Sequence, residues 1–246
     1  MTDQEQGGVG IVIHPPMVAR TAGWRKGEKK GFTGAVELRE SRGRLRFMQI
    51  VSATFECSAP DLKACPEESL PEFAFIGRSN VGKSSLLNML SGQKALARVS
   101  PVPGYTKLIN FFIISKRWRL VDLPGYGYAR VARKDKAKFN SAVSAYLEHR
   151  PNLRCVFTLI DATLPPQKID LQFVEWLVDN SIPFVLVFTK TDKVKPARMK
   201  GNIQAFLDQV AEWCERLPET FTCSAVTRQG RGNLLKMIEE VISEEE

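Results

Sequence analysis

The segment Gly77-Arg78-Ser79-Asn80-Val81-Gly82-Lys83-Ser84 has the spacing of a phosphate-binding loop: a glycine, four residues and then Gly-Lys-Ser. An apolar run, 73–76, comes directly before it, and a helix-forming run, 85–90, follows. A loop between a buried strand and a helix start points backbone N–H groups and the helix dipole at one place, which suits a nucleotide's phosphates. Lys83 would reach the β- and γ-phosphate oxygens, and Ser84 would hold Mg²⁺. A chance glycine-rich turn is the alternative, but such a turn would need neither the apolar run before it nor the helix-forming run after it. The segment therefore predicts nucleotide binding.

A second motif, Asp122-Leu123-Pro124-Gly125, closes another apolar run and begins 45 residues after Gly77. Asp122 can orient Mg²⁺ through a water molecule, and the Gly125 backbone N–H can sense the γ-phosphate. A turn of this composition is common by itself. Its place at the end of a buried strand is what favours the functional interpretation.

The segment Thr189-Lys190-Thr191-Asp192 follows the apolar run 183–188 and indicates which base is bound. Asp192 can accept hydrogen bonds from guanine N1–H and the exocyclic amine, while the Lys190 stem packs on the base. Adenine offers neither donor, so a buried carboxylate would lose its partners at a cost of roughly 1–3 kcal/mol or more. The small residues Cys223-Ser224-Ala225 follow 32 residues after this motif (192 to 224) and let backbone N–H groups approach the guanine oxygen. These two segments predict GTP and GDP as ligands and disfavour an ATP-using enzyme.

The turn Pro103-Gly104-Tyr105-Thr106 lies between the first predicted helix and the second predicted strand. A threonine there can complete the Mg²⁺ shell when the γ-phosphate is present. The loop would then be a switch that GTP orders and hydrolysis releases. A plain Pro-Gly turn is the alternative interpretation.

From residue 73 onward, apolar runs of strand length alternate with helical patterns, and these elements could position the motifs. This alternation predicts a three-layer α/β fold, with a mostly parallel sheet between helices. Three residues, 115–117, separate the second and third strands, too few for a crossover helix, so we expect one antiparallel strand among six. A further strand-like segment lies at 48–55. Strands are predicted at 73–77, 108–114, 118–122, 154–160, 183–189 and 220–223, and helices at 83–91, 135–149, 167–180, 197–216 and 231–243.

Composition sets wider limits on the function. The chain has 246 residues, 43% of them hydrophobic and 25% charged, as in an ordinary globular protein. Neither an apolar stretch of 18 residues nor an apolar signal core is present, so we expect no membrane span and no secretion. Five cysteines without C-x-x-C spacing favour free thiols in a reducing cytoplasm. The net charge of +8 is compatible with a polyanionic partner.

Residues 1–47 differ from the rest of the chain. They contain 8 of the 17 glycines and 9 Lys/Arg against 5 Asp/Glu, with no useful helical or strand period. Such a stretch buries too little apolar surface to offset its ordering entropy, so we predict a disordered basic extension. An RNA-binding arm, an organelle targeting peptide and a start codon placed too early remain alternatives. Glu28, Glu37 and Glu40 disfavour the targeting peptide.

In their order along the chain, the five motifs are typical of a Ras-like P-loop GTPase. The sequence around them resembles the EngB group of bacterial GTP-binding proteins, within the TrmE-Era-EngA-EngB-Septin-like superfamily. The resemblance runs from Met48 to the C-terminus and does not cover 1–47. The segments that carry it are 77–88, 103–112 and 121–129, together with 50–53 and 70–74.

This resemblance implies a cytoplasmic, Mg²⁺-dependent GTPase domain at 48–246 that assists assembly of the large ribosomal subunit. Ribosomal RNA and ribosomal proteins would be its partners, and the group is also linked to normal cell division and septation. Lys107 and Leu108 join the implied nucleotide contacts of the first switch. Lys83, Thr106 and Gly125 are the residues implied in hydrolysis, with Ser84 and Thr106 on the metal. We expect a monomer.

Two positions depart from the pattern of other GTPases or add to it. Many GTPases place a glutamine directly after Asp-x-x-Gly to position the attacking water, but Tyr126 occupies that position here. We therefore expect slow intrinsic hydrolysis, on the order of 10⁻⁴–10⁻³ s⁻¹. Tyr126 would begin a flexible aromatic segment, 126–128, either packing the switch or sensing a partner. Asn80 could hold a K⁺ ion beside the phosphates, or simply form the turn.

Basic residues after the second switch, and in and beside the predicted hairpin, form a candidate surface for ribosomal RNA. A solvated helix face is the alternative, because charge runs are usually that. A nucleotide-gated binding module with negligible turnover is a further alternative to an active GTPase. The basic residues are Arg130, Arg133, Lys134, Lys136 and Lys138, with Lys116, Arg117 and Arg119 near the hairpin.

Overall fold

The computed structural model describes residues 49–97, 108–126, 141–214 and 216–244. Within them, seven strands and five α-helices alternate. The strands are β1 Ala53–Ala59, β2 Glu72–Gly77, β3 Ile109–Ile114, β4 Trp118–Asp122, β5 Leu153–Asp161, β6 Phe184–Thr189 and β7 Thr220–Thr222. The helices are α1 Lys83–Ser91, α2 Ser141–His149, α3 Lys168–Asp179, α4 Pro196–Ala211 and α5 Arg231–Ser243, with short 3₁₀ turns at Leu62–Ala64 and Thr191–Lys193.

The strands form one sheet in the order β1-β3-β4-β2-β5-β6-β7. Strand β3 is antiparallel to both of its neighbours, β1 and β4, and every other neighbouring pair is parallel. The β3–β4 connection is a tight turn in which Arg117 N–H donates to the Ile114 carbonyl at 3.0 Å. Ser115 and Lys116 take positive φ values of 50° and 56°, which suit the twist of a hairpin. The prediction of a mostly parallel sheet with one antiparallel strand is confirmed.

The predicted number of six strands is wrong, because β1 adds a seventh at the edge of the sheet. Its central residues are half-buried or exposed, and its register with β3 shifts between Phe55 and Cys57. An edge strand of this kind lacks the continuous apolar run by which the other strands were identified. The strand-like segment predicted at 48–55 covers only its beginning.

The two faces of the sheet bury different residues of the same strands. In β2, Phe73 and Phe75 pack among residues of α1 and α5, whereas Ala74 and Ile76 pack with α2 and α3. This alternation is the two-residue period of a strand that is covered on both sides. The predicted three-layer arrangement is therefore confirmed. It places the carboxyl ends of the parallel strands at one edge of the molecule.

Several predictions concern residues outside those that the structure describes. They are the extension 1–47, the segment 103–107, the aromatic residues Gly127 and Tyr128 and the basic residues 130–138. The predicted helix 135–149 is described only from Ser141. In the described part of the chain, the helices are too short or too polar to cross a membrane.

Candidate nucleotide-binding site

The phosphate-binding loop connects β2 to α1 and is tightly curled. Asn80 and Gly82 both have positive φ, 65° and 102°, and Gly82 is the residue that precedes α1. At Gly77 a side chain is excluded, because a Cβ there would lie 2.8 Å from the Leu159 carbonyl oxygen and 2.9 Å from a Val81 methyl. The glycines thus allow the loop to turn against β5 and start a helix whose first N–H groups face the site.

Lys83 and Asp122 meet beside this loop. Asp122 is the last residue of β4 and pairs in register with Phe75 of the parallel strand β2. The Lys83 ammonium donates a hydrogen bond to the Asp122 carboxylate, and both side chains are largely buried. The oxygens of Asp122 and of Ser84, in the first turn of α1, are the hard donors that Mg²⁺ prefers. The residues present therefore fit a magnesium ion at the phosphates.

The segment after β4 lies directly on the phosphate-binding loop. Leu123 N–H donates to the Phe75 carbonyl at 3.1 Å, and Tyr126 forms an isolated parallel bridge with Arg78. A Cβ at Gly125 would lie 2.8 Å from the Gly77 carbonyl oxygen, so only glycine allows this approach. The Gly125 backbone is consequently held at the loop, where a γ-phosphate would lie.

Thr189, the last residue of β6, is hydrogen-bonded to the phosphate-binding loop. The Thr189 hydroxyl lies 2.6 Å from the Val81 carbonyl oxygen and 3.2 Å from that of Ile160. Lys190 follows with a positive φ of 59°, and its stem passes near Gly82. The side chain thus crosses the loop toward the groove where a base would bind.

Asp161, at the end of β5, holds the Lys190 ammonium. Lys190 Nζ donates to Asp161 Oδ2 at 2.6 Å, and the Thr163 hydroxyl donates to Oδ1 at 2.6 Å. Burial alone would raise the pKa of Asp161, but the hydrogen bonds from Lys190 and Thr163 outweigh it and hold this pKa below its usual value. Asp161 is therefore a carboxylate at neutral pH that fixes the lysine stem.

Asp192 is held by the loop after β7. The buried Ser224 hydroxyl donates to Asp192 Oδ1 at 2.7 Å and itself accepts from Thr227 N–H at 3.1 Å. Sequence reasoning gave Ser224 only the role of a small residue, and the structure adds that it orients the carboxylate. A groove runs beside this pair, lined by Gly82, Leu86, Lys190, Asp192, Cys223 and Ala225.

Comparisons with known proteins agree with this geometry. Residues 72–190 match the family model described as a 50S ribosome-binding GTPase. The chain is 50% identical over 197 residues to a protein of Bacteroides fragilis described as a probable GTP-binding protein EngB, covering 80% of this chain and 98% of that one. The corresponding protein of Porphyromonas gingivalis is 48% identical with the same coverage. The chain belongs to the EngB family of P-loop GTPases.

Solved structures place the EngB-family chain in the same fold. A crystal structure of a probable GTP-binding protein EngB has a TM-score of 0.51 and 25% identity, covering 70% of this chain and 99% of that one. A single-residue variant of Era from Aquifex aeolicus, solved with GDP and AlF4⁻, also has a TM-score of 0.51, with 26% identity and coverage of 71% and 56%.

Four of the five predicted motifs converge at the carboxyl edge of the EngB-family sheet. The fifth, Gly104, Tyr105 and Thr106, together with Lys107, lies outside the described residues. Leu108 is described, is 40% exposed and directly precedes β3.

Tyr126 is a packed residue and not part of a flexible segment. It is 5% exposed, and its ring stacks on Phe173 of α3 with centroids 4.5 Å apart. Of the two roles left open for this tyrosine, packing of the switch agrees with its position, whereas a buried ring is not accessible to a partner.

Arg119 does not belong to a basic surface. The sequence suggested a solvent-accessible cluster with Lys116 and Arg117, but the Arg119 side chain is only 3% exposed and binds the Glu56 carboxylate at 2.8 and 2.9 Å. Arg117 pairs with Glu239 at 3.1 Å. All five residues of β4 are buried, because the strand lies inside the sheet. The charge pattern alone could not reveal that Arg119 has a carboxylate partner there.

Proposed function

We propose that this EngB-family chain binds GTP with Mg²⁺ and hydrolyses it slowly, acting as a switch during assembly of the large ribosomal subunit. The observation that carries the proposal is the meeting of the Lys83–Asp122 pair, the Gly125 backbone and the Lys190–Asp192 segment at one edge of the sheet. The description of the matching family model and the net charge of +8 support a ribosomal partner.

The nucleotide would be held by groups that the fold has already brought together. Lys83 exchanges its bond to Asp122 for the β- and γ-phosphate oxygens, and the loop N–H groups bind the phosphates. Ser84 and Thr106 would hold Mg²⁺, with Asp122 acting through a water molecule. The metal supplies charge neutralisation between the β- and γ-phosphates. Asp192 accepts the guanine N–H donors, and Lys190, fixed by Asp161, covers the base.

Hydrolysis is the attack of water on the γ-phosphorus, which breaks the bond to the β-γ bridging oxygen and releases GDP and phosphate. The Gly125 N–H would meet the γ-phosphate, whereas the Tyr126 hydroxyl donates to Asp170 and would take no part in orienting water. A water-positioning glutamine is thus replaced by a packed phenol. This supports slow intrinsic turnover, on the order of 10⁻⁴–10⁻³ s⁻¹.

Nucleotide binding is tested by fluorescence titration with labelled GDP, competed by unlabelled GTP, GDP and ATP. We expect GTP and GDP to compete and ATP to fail at a thousandfold excess. Lys83→Ala should abolish GTP binding, while Lys236→Ala, a surface lysine on α5, should not change it. Competition by ATP equal to that by GTP would contradict the assignment of the base.

The ribosomal part of the proposal is tested by co-sedimentation with large-subunit precursors in GTP and in GDP. We expect binding in one nucleotide state and faster hydrolysis on addition of the subunit. Replacing Arg130, Arg133 and Lys134 together should flatten the salt dependence of binding. Binding without any turnover would favour the nucleotide-gated module instead.

A K⁺ ion at Asn80 is a further part of the proposal. Asn80 is exposed on the phosphate-binding loop and has a positive φ of 65°, so a cation on its amide oxygen could replace the charge of an arginine finger. Hydrolysis should be faster in KCl than in NaCl. Asn80→Gly keeps the backbone conformation and should remove the difference, and equal rates in the two salts would sink the idea.

The extension 1–47 is proposed to lie outside the GTPase domain of 48–246, in a cytoplasmic monomer. A chain beginning at Met48 should bind GDP as the full chain does, and light scattering should give the mass of one copy. A link to cell division would then follow indirectly, through the supply of ribosomes.

A further inference from the structure

Asp170 joins three separate segments of the chain at one buried carboxylate. It lies on α3, is 1% exposed, and is 92 residues from Arg78 and 44 from Tyr126. Arg78 Nε donates to both carboxylate oxygens at 3.0 Å, and the Tyr126 hydroxyl donates to Oδ1 at 3.0 Å. Arg78 belongs to the phosphate-binding loop, and Tyr126 directly follows the γ-phosphate-sensing glycine.

Arg78 and Tyr126 lie close enough to Asp170 to affect the pKa of its carboxyl group, and Asp170 in turn affects the pKa of Tyr126. Burial raises the pKa of Asp170 above its usual value, and the Arg78 guanidinium and Tyr126 hydroxyl act against that rise. Burial, reinforced by the Asp170 carboxylate, raises the pKa of Tyr126 well above its usual value, so the phenol remains a donor. Stacking on Phe173 fixes the ring, so the hydroxyl meets the carboxylate in one orientation.

Gly125 directly precedes Tyr126, which is connected to Arg78 in two ways. Tyr126 bridges to Arg78 through the backbone, and Asp170 connects the same two residues through their side chains. Gly125 is itself exposed and lies between buried Pro124 and buried Tyr126, so the two connections of Tyr126 are what hold its backbone at the loop.

We propose that Asp170 is a positioning residue for recognition of the γ-phosphate, because it holds the start of the second switch on the phosphate-binding loop. The inference rests on the proposed function, since it concerns the group that distinguishes GTP from GDP. GDP has no γ-phosphate for the Gly125 N–H to meet. Loss of the Asp170 connection should therefore weaken binding of GTP and spare binding of GDP.

The test is a pair of dissociation constants, for GDP and for a non-hydrolysable GTP analogue, measured with Mg²⁺ in the full chain. Asp170→Asn removes the charge that holds Arg78, and Tyr126→Phe removes only the hydroxyl and keeps the stacked ring. We expect each variant to bind the GTP analogue about fivefold to tenfold more weakly, with GDP affinity unchanged within about twofold. Asp179→Asn, the same substitution at an exposed position of α3, should change neither value.

The outcomes separate the possible failures. If the unaltered chain binds neither nucleotide, the proposed function fails. If it binds both and the two variants weaken GDP and the GTP analogue equally, or weaken neither, Asp170 is merely structural and the inference is overturned. Should Asp170→Asn not fold, Tyr126→Phe decides alone, because it leaves the Arg78–Asp170 pair in place.

Discussion

Two carboxylates near the base-binding groove have different partners and different tasks. Asp192 is exposed, and one of its oxygens is held by the Ser224 hydroxyl. Asp161 is buried and accepts from Lys190 and Thr163. In the proposed function, Asp192 would meet the base, and Asp161 would position Lys190, which would cover the base. Single substitutions at each should therefore give different results.

Asp192→Asn should change which base is preferred. An asparagine oxygen can still accept from Ser224, so the loop keeps its shape, but its NH₂ group would face the guanine donors. Affinity for GDP should fall about 100-fold, because two hydrogen bonds to a charged group are lost. XDP has a carbonyl in place of the exocyclic amine and should gain. Competition titrations with GDP and XDP measure both, and an equal loss for the two nucleotides would contradict this role.

Asp161→Asn should reduce stability in a pH-dependent way. The folded-state pKa of Asp161 lies below its usual value, so the carboxylate stabilises the folded protein above its unfolded pKa of about 3.9. That contribution is lost as pH falls through the folded-state value. The difference in unfolding free energy between the two proteins should be largest near pH 7 and shrink below about pH 4. Urea unfolding at several pH values measures it, and a constant difference would rule out the ion pair as its cause.

Motif spacing predicted the residues that would meet the nucleotide, since each motif carries its own turn chemistry and lies at a strand end. Asp161 and Asp170 were not found this way. Asp161 directly follows the predicted strand 154–160, and a polar residue there is a weak signal. Asp170 lies inside a helix with no sequence pattern to mark it. Its role depends on contacts across 44 and 92 residues, which only the folded chain reveals.

At the scale of elements, Arg231 joins the start of α5 to the end of α1. Its Nε and Nη2 donate to the carbonyls of Met89 and Leu90, each at 2.9 Å. Carbonyls in the last turn of a helix lack the regular intrahelical partner, although the Met89 carbonyl also accepts from Gly92 N–H at 3.3 Å. A cation at this end also complements the helix dipole. The contact fixes the carboxyl end of α1, the helix that begins at Lys83.

Arg231→Ala should lower the free energy of unfolding by about 1–2 kcal/mol, the usual cost of losing charge-assisted hydrogen bonds at a partly exposed site. Lys236→Ala is the control on the same helix. Its pair with Glu240 is a surface i,i+4 pair, which contributes about 0.3–0.5 kcal/mol. Urea unfolding of both variants compares them. Equal losses would mean that the carbonyl contacts of Arg231 add nothing beyond a surface charge.

Most elements could be predicted because their buried strands are continuous apolar runs, as in 184–188, and their helices have apolar residues on one face. Helix α4 ends at Ala211 and not at the predicted 216, because an apolar pattern does not mark where the backbone stops turning. Strand β1 escaped the count for a related reason. As an edge strand it needs burial at few positions. The polar residues Thr54, Glu56 and Ser58 therefore interrupt the continuous apolar run by which the other strands were identified.

At the scale of the whole molecule, the two ends of the sheet do different work. The proposed nucleotide site lies at the carboxyl ends of the parallel strands, whereas a buried charge cluster lies at the amino ends. In that cluster, fully buried Glu72 accepts from Arg150 at 2.7 and 2.9 Å and from the Tyr146 hydroxyl at 2.8 Å. Arg119 lies 3.6 Å away. The cluster connects β2, β4 and α2 at the end of the sheet opposite the proposed nucleotide site.

Glu72→Ala should therefore separate stability from binding. Removing one partner of a buried ion pair leaves the others uncompensated, so the loss should be about 3–5 kcal/mol, or a fall of roughly 6–20 °C in Tm at 2–4 °C per kcal/mol. Glu72→Gln keeps an acceptor for Tyr146 and should lose less. GDP affinity, titrated at 10 °C where both variants remain folded, should match the unaltered chain, because Glu72 begins a six-residue strand whose other end is about 16–17 Å away. A loss of GDP affinity in fully folded Glu72→Gln would show that the two ends of the sheet are coupled through β2. It would contradict the separation of stability at the amino ends from nucleotide binding at the carboxyl ends.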